Sequence, residues 1–578
     1  MDTLNNKKRF FFILNEINVL YFILLILLKR NVCLYRIRPF NKMATIPLNF
    51  VVNICYKYKL FFYINEIKEI DLIGDRWVFD NYPHYDAEDK YLEICGLLKN
   101  SRDYSYWNDP FNDYSYSFKA IKKRYIDEVV KDVLWVEWLN NKLNDSSYVI
   151  IGMYADINIY FTKKKNNIFI NAWNILCNTL TFLSGGVYFI YWLFVRTRPY
   201  KITQVYYDVI ADNSLGLRGF FDRIVGINGS IAFYNWRVKN KRLDDKTIEL
   251  NDASVDLFKF ISLVTFFLRD SLYLVIQTRS WDSVFFFMQF RQIIARYCYE
   301  AFFSKFQAKS FFVMDDYAKE HIVRSMVLRK LGIKSVSMNH GLPFRINQAA
   351  IWKYVDYDIY YVYGLFIYEK YYQKTWSNNI DVKAVGSLRI PAEYYPKILL
   401  TNRSKDILFL WGKTEDIAYD TMLIEAIYCM ADMFKDRKIY VRPKPTRIAD
   451  NSADNLLNML SSNPRENIVI EDKDLLGQYL TYELMINCMY AIGVGSTAVA
   501  ESIQCGCISF FLDYDKRTED VYYQNFPQLC VDNIDDTINR IKDIESGKYY
   551  YNFNKLSGLI DLSRVDPINS IRKDLGLN

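Results

Sequence analysis

The residues best suited to chemistry in this chain follow apolar runs that have the composition of strands. One such run leads into Gly495, Ser496 and Thr497, where small residues let the backbone turn sharply and approach a ligand. We predict that a helix begins there, with the Ser496 and Thr497 hydroxyls as N-caps, and that it ends at Gly506. Free amides at the start of a helix favour an anion such as a phosphate. Glu501, one turn further on, is placed to reach a sugar hydroxyl of the same ligand.

A cationic loop follows another predicted strand, Lys438–Val441. The loop reads Arg-Pro-Lys-Pro-Thr-Arg, so that prolines stiffen it while Arg442, Lys444 and Arg447 offer positive charge to a phosphate or diphosphate. The carboxyl ends of parallel strands meet at one edge of a sheet, so we expect this loop to lie beside Gly495. An ordinary solvated basic loop is the alternative.

Candidate acid–base residues follow two earlier predicted strands. After the strand Lys334–Met338, Gly341 permits an exposed turn that presents the imidazole of His340. An ordinary pKa of about 6.5 would let this imidazole act as a base or bind a phosphate, with a structural histidine as the alternative. After a strand at 310–314, Asp315 and Asp316 could supply a general base or form a helix N-cap pair.

Composition narrows the class of protein. A chain of 578 residues is expected to form two or three domains, and a hydrophobic fraction of 51% excludes extended disorder. The net charge of +7 is too dilute to indicate nucleic-acid binding. Ten cysteines without paired CxxC spacing and only three histidines argue against structural zinc and favour reduced thiols in the cytoplasm. No Walker, GxGxxG, HExxH or GxSxG motif occurs, and no acidic pair suits a divalent metal.

The order of apolar runs and helical patterns indicates how these loops are positioned. Strands and helices alternate from residue 310 to residue 363 and again from Asp406 onward, which predicts parallel, doubly wound sheets. We expect a first domain over 1–385 with helical insertions at about 76–145 and 253–306. A second domain should cover 386–545, and a helical tail at 546–578 is a candidate to pack back across the chain.

Two apolar segments raise the question of a membrane. Residues 9–28 are broken by polar residues, so we interpret them as strand 9–14 and part of a helix at 16–29, before a strand at 32–37. Residues 172–195 are longer, but the Gly185-Gly186 pair favours two short elements in a buried core. Contact with a membrane surface and a true span stay open as alternatives for this segment.

Taken in order, the motifs resemble those of GT-B glycosyltransferases of surface and capsular polysaccharide biosynthesis. Within this class, the chain is most similar to Kdo-transferase-like capsule enzymes and CDP-glycerol:polyol-phosphate transferases. The motifs that carry the resemblance span about 310–545: strand–Asp315-Asp316–helix, His340-Gly341, Val385-Gly-Ser387, Arg442-Pro-Lys-Pro445, and Gly495-Ser-Thr-Ala-Val-Ala-Glu501 with Cys505-Gly506. One departure is that Lys444-Pro445 stands where these families commonly carry His-Pro. Lysine keeps the positive charge but cannot serve as an imidazole acid or base.

The resemblance implies a GT-B-like α/β fold of two Rossmann-like domains facing across a cleft. It places the donor nucleotide on the second domain, against the loops at 442–447 and 495–497 and Glu501, and the acceptor on the first domain near Asp315, Asp316 and His340. The implied partners are a nucleotide-activated sugar and a glycan or lipid-linked glycan acceptor, with no nucleic acid. The nucleotide sugar is a co-substrate, and neither a cofactor nor a metal is expected. A cytoplasmic protein follows, with peripheral contact at the inner leaflet as a candidate.

Two other functions remain compatible with the sequence. A nucleotide-sugar epimerase has the same two-domain architecture, although three histidines are few for its acid–base chemistry. A degenerate, non-catalytic transferase acting as a partner in an assembly complex would explain the lysine at position 444.

Overall fold

The strands and helices below come from a computed structural model. It describes the following residues: 9–13, 32–38, 64–71, 148–151, 168–213, 217–235, 244–277, 283–315, 318, 320–339, 341–342, 354–373, 376, 379–400, 402–411, 417–444, 454–470, 478–494, 496–512 and 522–577. The predicted helical insertion at 76–145 therefore lies outside the described residues, as does the helix predicted at 16–29.

The described strands run through the whole chain. They are β1 (Arg9–Ile13), β2 (Val32–Arg38), β3 (Ile64–Asp71), β4 (Tyr148–Ile151), β5 (Thr197–Arg198), β6 (Val205–Asp212), β7 (Ile231–Tyr234), β8 (Thr247–Ile248), β9 (Val255–Asp256), β10 (Phe306–Phe312), β11 (Lys334–Met338), β12 (Ile359–Val362), β13 (Asp381–Ala384), β14 (Ser404–Trp411), β15 (Ile439–Pro443), β16 (Ile468–Ile470), β17 (Cys488–Val494), β18 (Ile508–Leu512) and β19 (Cys530–Val531).

Helices connect most of these strands. They are α1 (Ile168–Val195), α2 (Arg218–Val225), α3 (Leu257–Gln277), α4 (Ser283–Lys305), α5 (His321–Lys330), α6 (Tyr394–Leu400), α7 (Ile417–Met433), α8 (Asp454–Ser462), α9 (Gln478–Asn487), α10 (Ala498–Gln504), α11 (Ile534–Glu545) and α12 (Ile568–Leu575). Short helical turns lie at Leu250–Asp252, Leu365–Ile367, Tyr368–Tyr372, Tyr522–Asn525 and Phe553–Leu556.

Two parallel sheets have the Rossmann-like strand order. The six-stranded sheet runs β16-β15-β14-β17-β18-β19, which is 3-2-1-4-5-6 when its strands are counted along the chain. The seven-stranded sheet runs β13-β12-β11-β10-β6-β7-β8, the same order with one further strand. This order brings the two halves of a doubly wound sheet together at the centre, where such folds bind ligands. The strand orders confirm the predicted fold class of two Rossmann-like domains. We call the domain of the seven-stranded sheet the first Rossmann-like domain and that of the six-stranded sheet the second.

Inner strands of both sheets are largely buried, as is typical of parallel sheets that are covered on both faces. All residues of β12 are buried, as are the last five residues of β14. A single hydrophobic cluster includes Val362 of β12, Phe409 of β14 and Ile492 of β17. The two domains therefore share a continuous core.

The C-terminal tail returns to the first Rossmann-like domain. Ile571 and Leu575 of α12 are buried in the same cluster as α2 and the first sheet. The guanidinium of Arg572 donates to the Ile224 carbonyl over 2.9 Å, and Lys383 of β13 pairs with Asp574 over 2.5 Å. A tail that packs back across the chain is therefore confirmed.

The N-terminal strands form a third parallel sheet of their own, in the order β3-β2-β1-β4. Strands predicted at 9–14 and 32–37 are confirmed there, and the predicted first domain, 1–385, holds two separate sheets.

The chain divides into two compact units. One comprises Met1–Val195 with Phe260–Tyr297, and the other comprises Arg196–Lys259 with Cys298–Asn578 and contains both Rossmann-like domains.

The apolar segment at 172–195 lies in α1, a single helix of 28 residues, so the predicted break at Gly185-Gly186 is wrong. A Cβ at Gly185 would lie 2.7 Å from Cε1 of Phe290 on α4. The glycine therefore permits close packing between two helices instead of ending one. One face of α1 buries Phe189, which packs 4.4 Å from Phe267 between ring centroids. Within α1, 178–195 is long and apolar enough to cross a membrane, and 22% of that window is buried.

Candidate functional site

The candidate site lies where the carboxyl ends of the two Rossmann-like sheets meet. Leu342, in the loop after β11 of the first sheet, donates its backbone amide to Oγ1 of Thr497 over 3.1 Å. Thr497 follows β17 of the second sheet, and a Cβ at Gly341 would lie 3.1 Å from the same hydroxyl. The structure thus brings together two loops that sequence motifs had marked separately. His340 and Gly495 lie outside the described residues.

The start of α10 differs from the prediction. Thr497 precedes the helix with helical backbone angles, φ −57° and ψ −25°, and its side chain makes no capping hydrogen bond. A capping hydroxyl needs an extended backbone. Thr497 instead accepts its hydrogen bond from the first domain, so its predicted N-cap role is wrong. Ser496 Oγ does accept from the Ala498 amide over 3.2 Å, and Gly506 ends the helix with φ +97°, as predicted.

Glu501 of α10 joins the two domains through its carboxylate. Its side chain is buried, and Oε1 accepts hydrogen bonds from Ser387 Oγ over 2.8 Å and from the Tyr363 hydroxyl over 3.4 Å. Tyr363 directly follows β12 of the first sheet, and Ser387 lies in the linker between the domains. Burial, and then the charge of Glu501, raise the pKa of the Tyr363 phenol well above its ordinary value, so the phenol stays protonated as a donor.

The linker fits closely against the same helix. Gly386 has φ +70°, a conformation that favours glycine, and a Cβ there would lie 2.2 Å from Nε2 of Gln504. The side chain of Gln504 accepts from the Ser387 amide through Oε1 over 2.8 Å. Glu501 and Gln504, one turn apart on α10, therefore hold two successive linker residues.

Arg389 is a residue of this site that the sequence did not predict. Burial alone would lower the pKa of its guanidinium. The nearby side chains of Tyr363, Glu501 and Tyr482 raise the pKa by more than burial lowers it, so the group is fully charged. The only signal in the sequence was its place two residues after Ser387, in a glycine–serine stretch of weak specificity. Arg389 therefore places a buried positive charge within electrostatic reach of Glu501.

The described start of the cationic loop, residues 442–444, lies at the same sheet edge as the end of β17. Trp411 of β14 pairs with Pro443 on one side and with Val494 on the other, so all three strands end together. Arg442 is buried and donates through Nε to Oγ1 of Thr481 over 2.9 Å. Lys444 is exposed, and Arg447 lies outside the described residues. Thr481, on α9, is a second residue that the sequence did not indicate.

Asp315 has the surroundings of a structural ion pair. It is 2% exposed, Nη2 of Arg324 donates to Oδ1 over 2.7 Å, and Nη1 of Arg324 bonds to Oδ2. The Tyr357 hydroxyl also donates to Oδ1 over 3.0 Å. Because both oxygens are engaged by buried donors, this geometry weighs against a role for Asp315 as a base. Asp316 lies outside the described residues, and its role stays a prediction.

Among the described residues, no group of three histidine, cysteine, aspartate or glutamate side chains is arranged to hold a metal ion.

Comparison with known proteins gives a limited result. No protein-family profile and no curated protein matches the sequence. The solved structures that resemble it include a UDP-GlcNAc 2-epimerase from Methanocaldococcus jannaschii, with 13% identity, coverage of 64% of this chain and 100% of that chain, and a TM-score of 0.36. The wall teichoic acid polymerase TagF has 11% identity, coverage of 71% and 96%, and a TM-score of 0.37. UGT71G1 from Medicago truncatula, complexed with UDP-glucose, has 9% identity, coverage of 64% and 98%, and a TM-score of 0.34. TM-scores this low do not support a conclusion about fold or function, so the fold assignment rests on the strand orders.

Proposed function

We propose that this protein is a glycosyltransferase that moves a sugar, or a polyol phosphate, from a nucleotide-activated donor to a growing surface or capsular glycan. One observation carries the proposal: Thr497, in the donor-side loop, accepts a hydrogen bond from Leu342, two residues after His340 in the acceptor-side loop. A transferase needs its two substrates on opposite sides of one junction, and this contact joins the two loops that the motifs assign to them.

The donor would bind to the second Rossmann-like domain. Its phosphates would lie against Gly495, Ser496 and Thr497, and a ribose hydroxyl would bind the carboxylate of Glu501. The cations of Arg389 and of the 442–447 loop would stabilise the negative charge that develops on the leaving phosphate. Lysine at 444 supplies charge to this step and no acid–base function, consistent with its exposed position.

The acceptor hydroxyl would be activated from the first domain. We assign the general base to His340, with Asp316 as the alternative, because both carboxylate oxygens of Asp315 are already engaged. When a sugar is transferred, the base takes the hydroxyl proton, and the acceptor oxygen forms a bond to the anomeric carbon of the donor. The bond from that carbon to the donor phosphate breaks, and its electron pair leaves with the nucleotide.

We propose in addition that α1 makes peripheral contact with the inner leaflet of a membrane, where a lipid-linked acceptor would be found. The helix carries no charged residue over 28 positions, and Leu183, Val187 and Tyr191 are exposed along one side. Arg196 and Arg198 follow it in the sequence and suit anionic headgroups. Co-sedimentation with vesicles containing anionic phospholipid should be lost when Val187 and Tyr191 are changed to Asp.

The experiment that tests the transferase proposal uses the purified full chain with CMP-, CDP-, UDP- and GDP-linked donors. Release of free nucleotide that depends on a glycan acceptor is the expected result. The Lys444→Ala variant should lose transfer by about 100-fold, the effect expected when a donor to the leaving group is removed. The matched control Lys435→Ala, which removes an exposed lysine elsewhere in the same domain, should keep full activity.

The same assay separates the two alternatives. An epimerase would convert the donor to a second nucleotide sugar without an acceptor and without net release of nucleotide. A non-catalytic partner would bind no donor and would show no thermal stabilisation with any of them. Full activity of Lys444→Ala would contradict the assignment of the cationic loop to the leaving phosphate.

A further inference from the structure

The carboxylate of Glu501 accepts from two hydroxyl groups, one in the first Rossmann-like domain and one in the linker between the domains. Ser387 Oγ lies 2.8 Å from Oε1, and the Tyr363 hydroxyl lies 3.4 Å from the same oxygen. Glu501 is 6% exposed, so these contacts replace most of the water that a surface carboxylate would have. Such donors compensate a buried carboxylate for the water it has lost, and their positions also fix its orientation.

The two hydroxyl groups are themselves fixed in place. The Tyr363 carbonyl accepts from the Gly386 amide over 3.2 Å and from the Asp561 amide over 2.7 Å. The Ser387 amide is bound to Gln504, and its hydroxyl also accepts from the Arg389 amide over 3.3 Å. Ser387 and Tyr363 are therefore held in place, since each makes hydrogen bonds through its backbone as well as through its side chain.

The arrangement leaves the two oxygens of Glu501 unequal. Within the described part of the chain, Oε1 accepts both side-chain hydrogen bonds that the carboxylate makes. The remaining oxygen, Oε2, is the one that can accept from a ligand. Each oxygen of a carboxylate accepts hydrogen bonds independently, so a ribose hydroxyl can bind Oε2 without breaking the contacts to Oε1.

We infer that Tyr363 and Ser387 are positioning residues for the donor nucleotide, which orient the Glu501 carboxylate so that Oε2 accepts from a ribose hydroxyl. The inference rests on the proposed function, and it deepens that function because it joins ribose recognition to the interdomain linker and to the first Rossmann-like domain. Neither residue touches the donor. Their contribution is made entirely through Glu501.

The test measures nucleotide affinity for the full chain by isothermal titration calorimetry. UDP, CDP, GDP and CMP are screened first, and the tightest of them is then compared with its 2′-deoxy and 3′-deoxy forms. The wild type should bind at least one deoxy form about tenfold more weakly, the value of one hydrogen bond to a charged group. In Ser387→Ala and Tyr363→Phe this ratio should fall towards one, while affinity for the deoxy form stays within about twofold of wild type.

Matched controls separate positioning from general destabilisation. Tyr361→Phe removes a hydroxyl from β12 that donates to Asp574 over 3.0 Å. Ser502→Ala removes a buried hydroxyl of α10 that donates to the Val499 carbonyl over 2.7 Å. Both control variants should keep the wild-type ratio between ribose and deoxyribose forms.

Each outcome is decisive. A ratio that collapses in the two variants, and in Glu501→Gln, but not in the controls supports the inference. A ratio that Glu501→Gln abolishes while Ser387→Ala and Tyr363→Phe leave it intact overturns the inference and leaves the proposed function standing. Parallel loss of affinity for both sugar forms indicates a structural role only and also overturns it. Failure of every nucleotide to bind the wild type overturns the proposed function itself.

Discussion

Replacing Asp315 by Asn should destabilise the first Rossmann-like domain severely. The Arg324 side chain is 1% exposed and is bound through both terminal nitrogens to the two carboxylate oxygens. In Asp315→Asn an NH2 group would face one of these nitrogens, so one charge-assisted hydrogen bond is lost and a guanidinium is left buried without a counter-charge. Breaking a buried pair in this way costs about 3–5 kcal/mol. That is a large part of the ~5–15 kcal/mol that stabilises an ordinary domain.

Differential scanning calorimetry of the full chain measures this effect. The transition of the domain should fall by about 10 °C, since 1 kcal/mol corresponds to ~2–4 °C for a domain of this size. The control Asp208→Asn breaks an ion pair with Lys309 of similar length, 2.8 Å, in which the lysine side chain is 60% exposed. A surface pair contributes less than about 1 kcal/mol, so this control should barely move the transition.

A double variant completes the argument. Asp315→Leu with Arg324→Met removes both charges and should recover most of the lost stability, because apolar residues can replace a buried pair at little cost. Wild-type stability in Asp315→Asn, combined with loss of transfer, would refute the structural role and restore Asp315 as a candidate base.

Two further predictions concern the fit of the linker and the dependence of the unfolding free energy on pH below neutral. Gly386→Ala should cost about 2–3 kcal/mol, measured by urea unfolding, because strain at φ +70° adds to displacement of the buried Gln504 side chain from the Ser387 amide. Gly332→Ala, at φ +71° with nothing within 4 Å, should cost only the strain, about 1–2 kcal/mol, and equal losses would contradict the tight fit of the linker. The hydrogen bond from Lys309 lowers the pKa of Asp208, so the pair stabilises the fold above the ordinary pKa of about 4 and stops doing so as pH falls through the lowered value. The difference in unfolding free energy between wild type and Lys309→Met should therefore be constant near neutral pH and should shrink below about pH 4, and a pH-independent difference would contradict it.

The strands of both Rossmann-like domains could be predicted from the sequence because parallel strands covered on both faces are continuous apolar runs. Lys334–Met338 forms β11 at the predicted residues, and the run predicted from Asp406 to Trp411 lies within β14. The order of these runs along the chain, with helices between them, indicated the doubly wound topology. That topology alone predicted that the loops after β15 and β17 begin at the same edge of the second sheet.

The partners of individual side chains could not be predicted in the same way. The hydrogen bonds of Glu501 reach Ser387 and Tyr363 across 114 and 138 residues of chain. No local pattern encodes such a pairing. The hydroxyl of Thr497 matched a helix N-cap by sequence, but an amide from the other domain, 155 residues away, competes for it and is the donor that binds it.

Helix α1 is a second case in which a local sequence pattern, the Gly185-Gly186 pair, predicted the wrong structure. Two adjacent glycines weaken a helix by about 1 kcal/mol each relative to alanine, which favours a break. In the structure, Gly185 is the position at which α4 approaches, and Phe290 packs where a side chain would stand. Tertiary packing therefore outweighs the propensity of these two residues.

The measurement that tests the central claim most directly is a crystal structure of the full chain with a nucleotide-sugar donor bound. We predict that the donor phosphates lie against Ser496 and Thr497 and that a ribose hydroxyl is within hydrogen-bond distance of Oε2 of Glu501. The sugar should then point across the junction towards the loop after β11. A donor bound away from the meeting carboxyl edges of the two sheets, or a ribose that does not contact Glu501, would contradict the account.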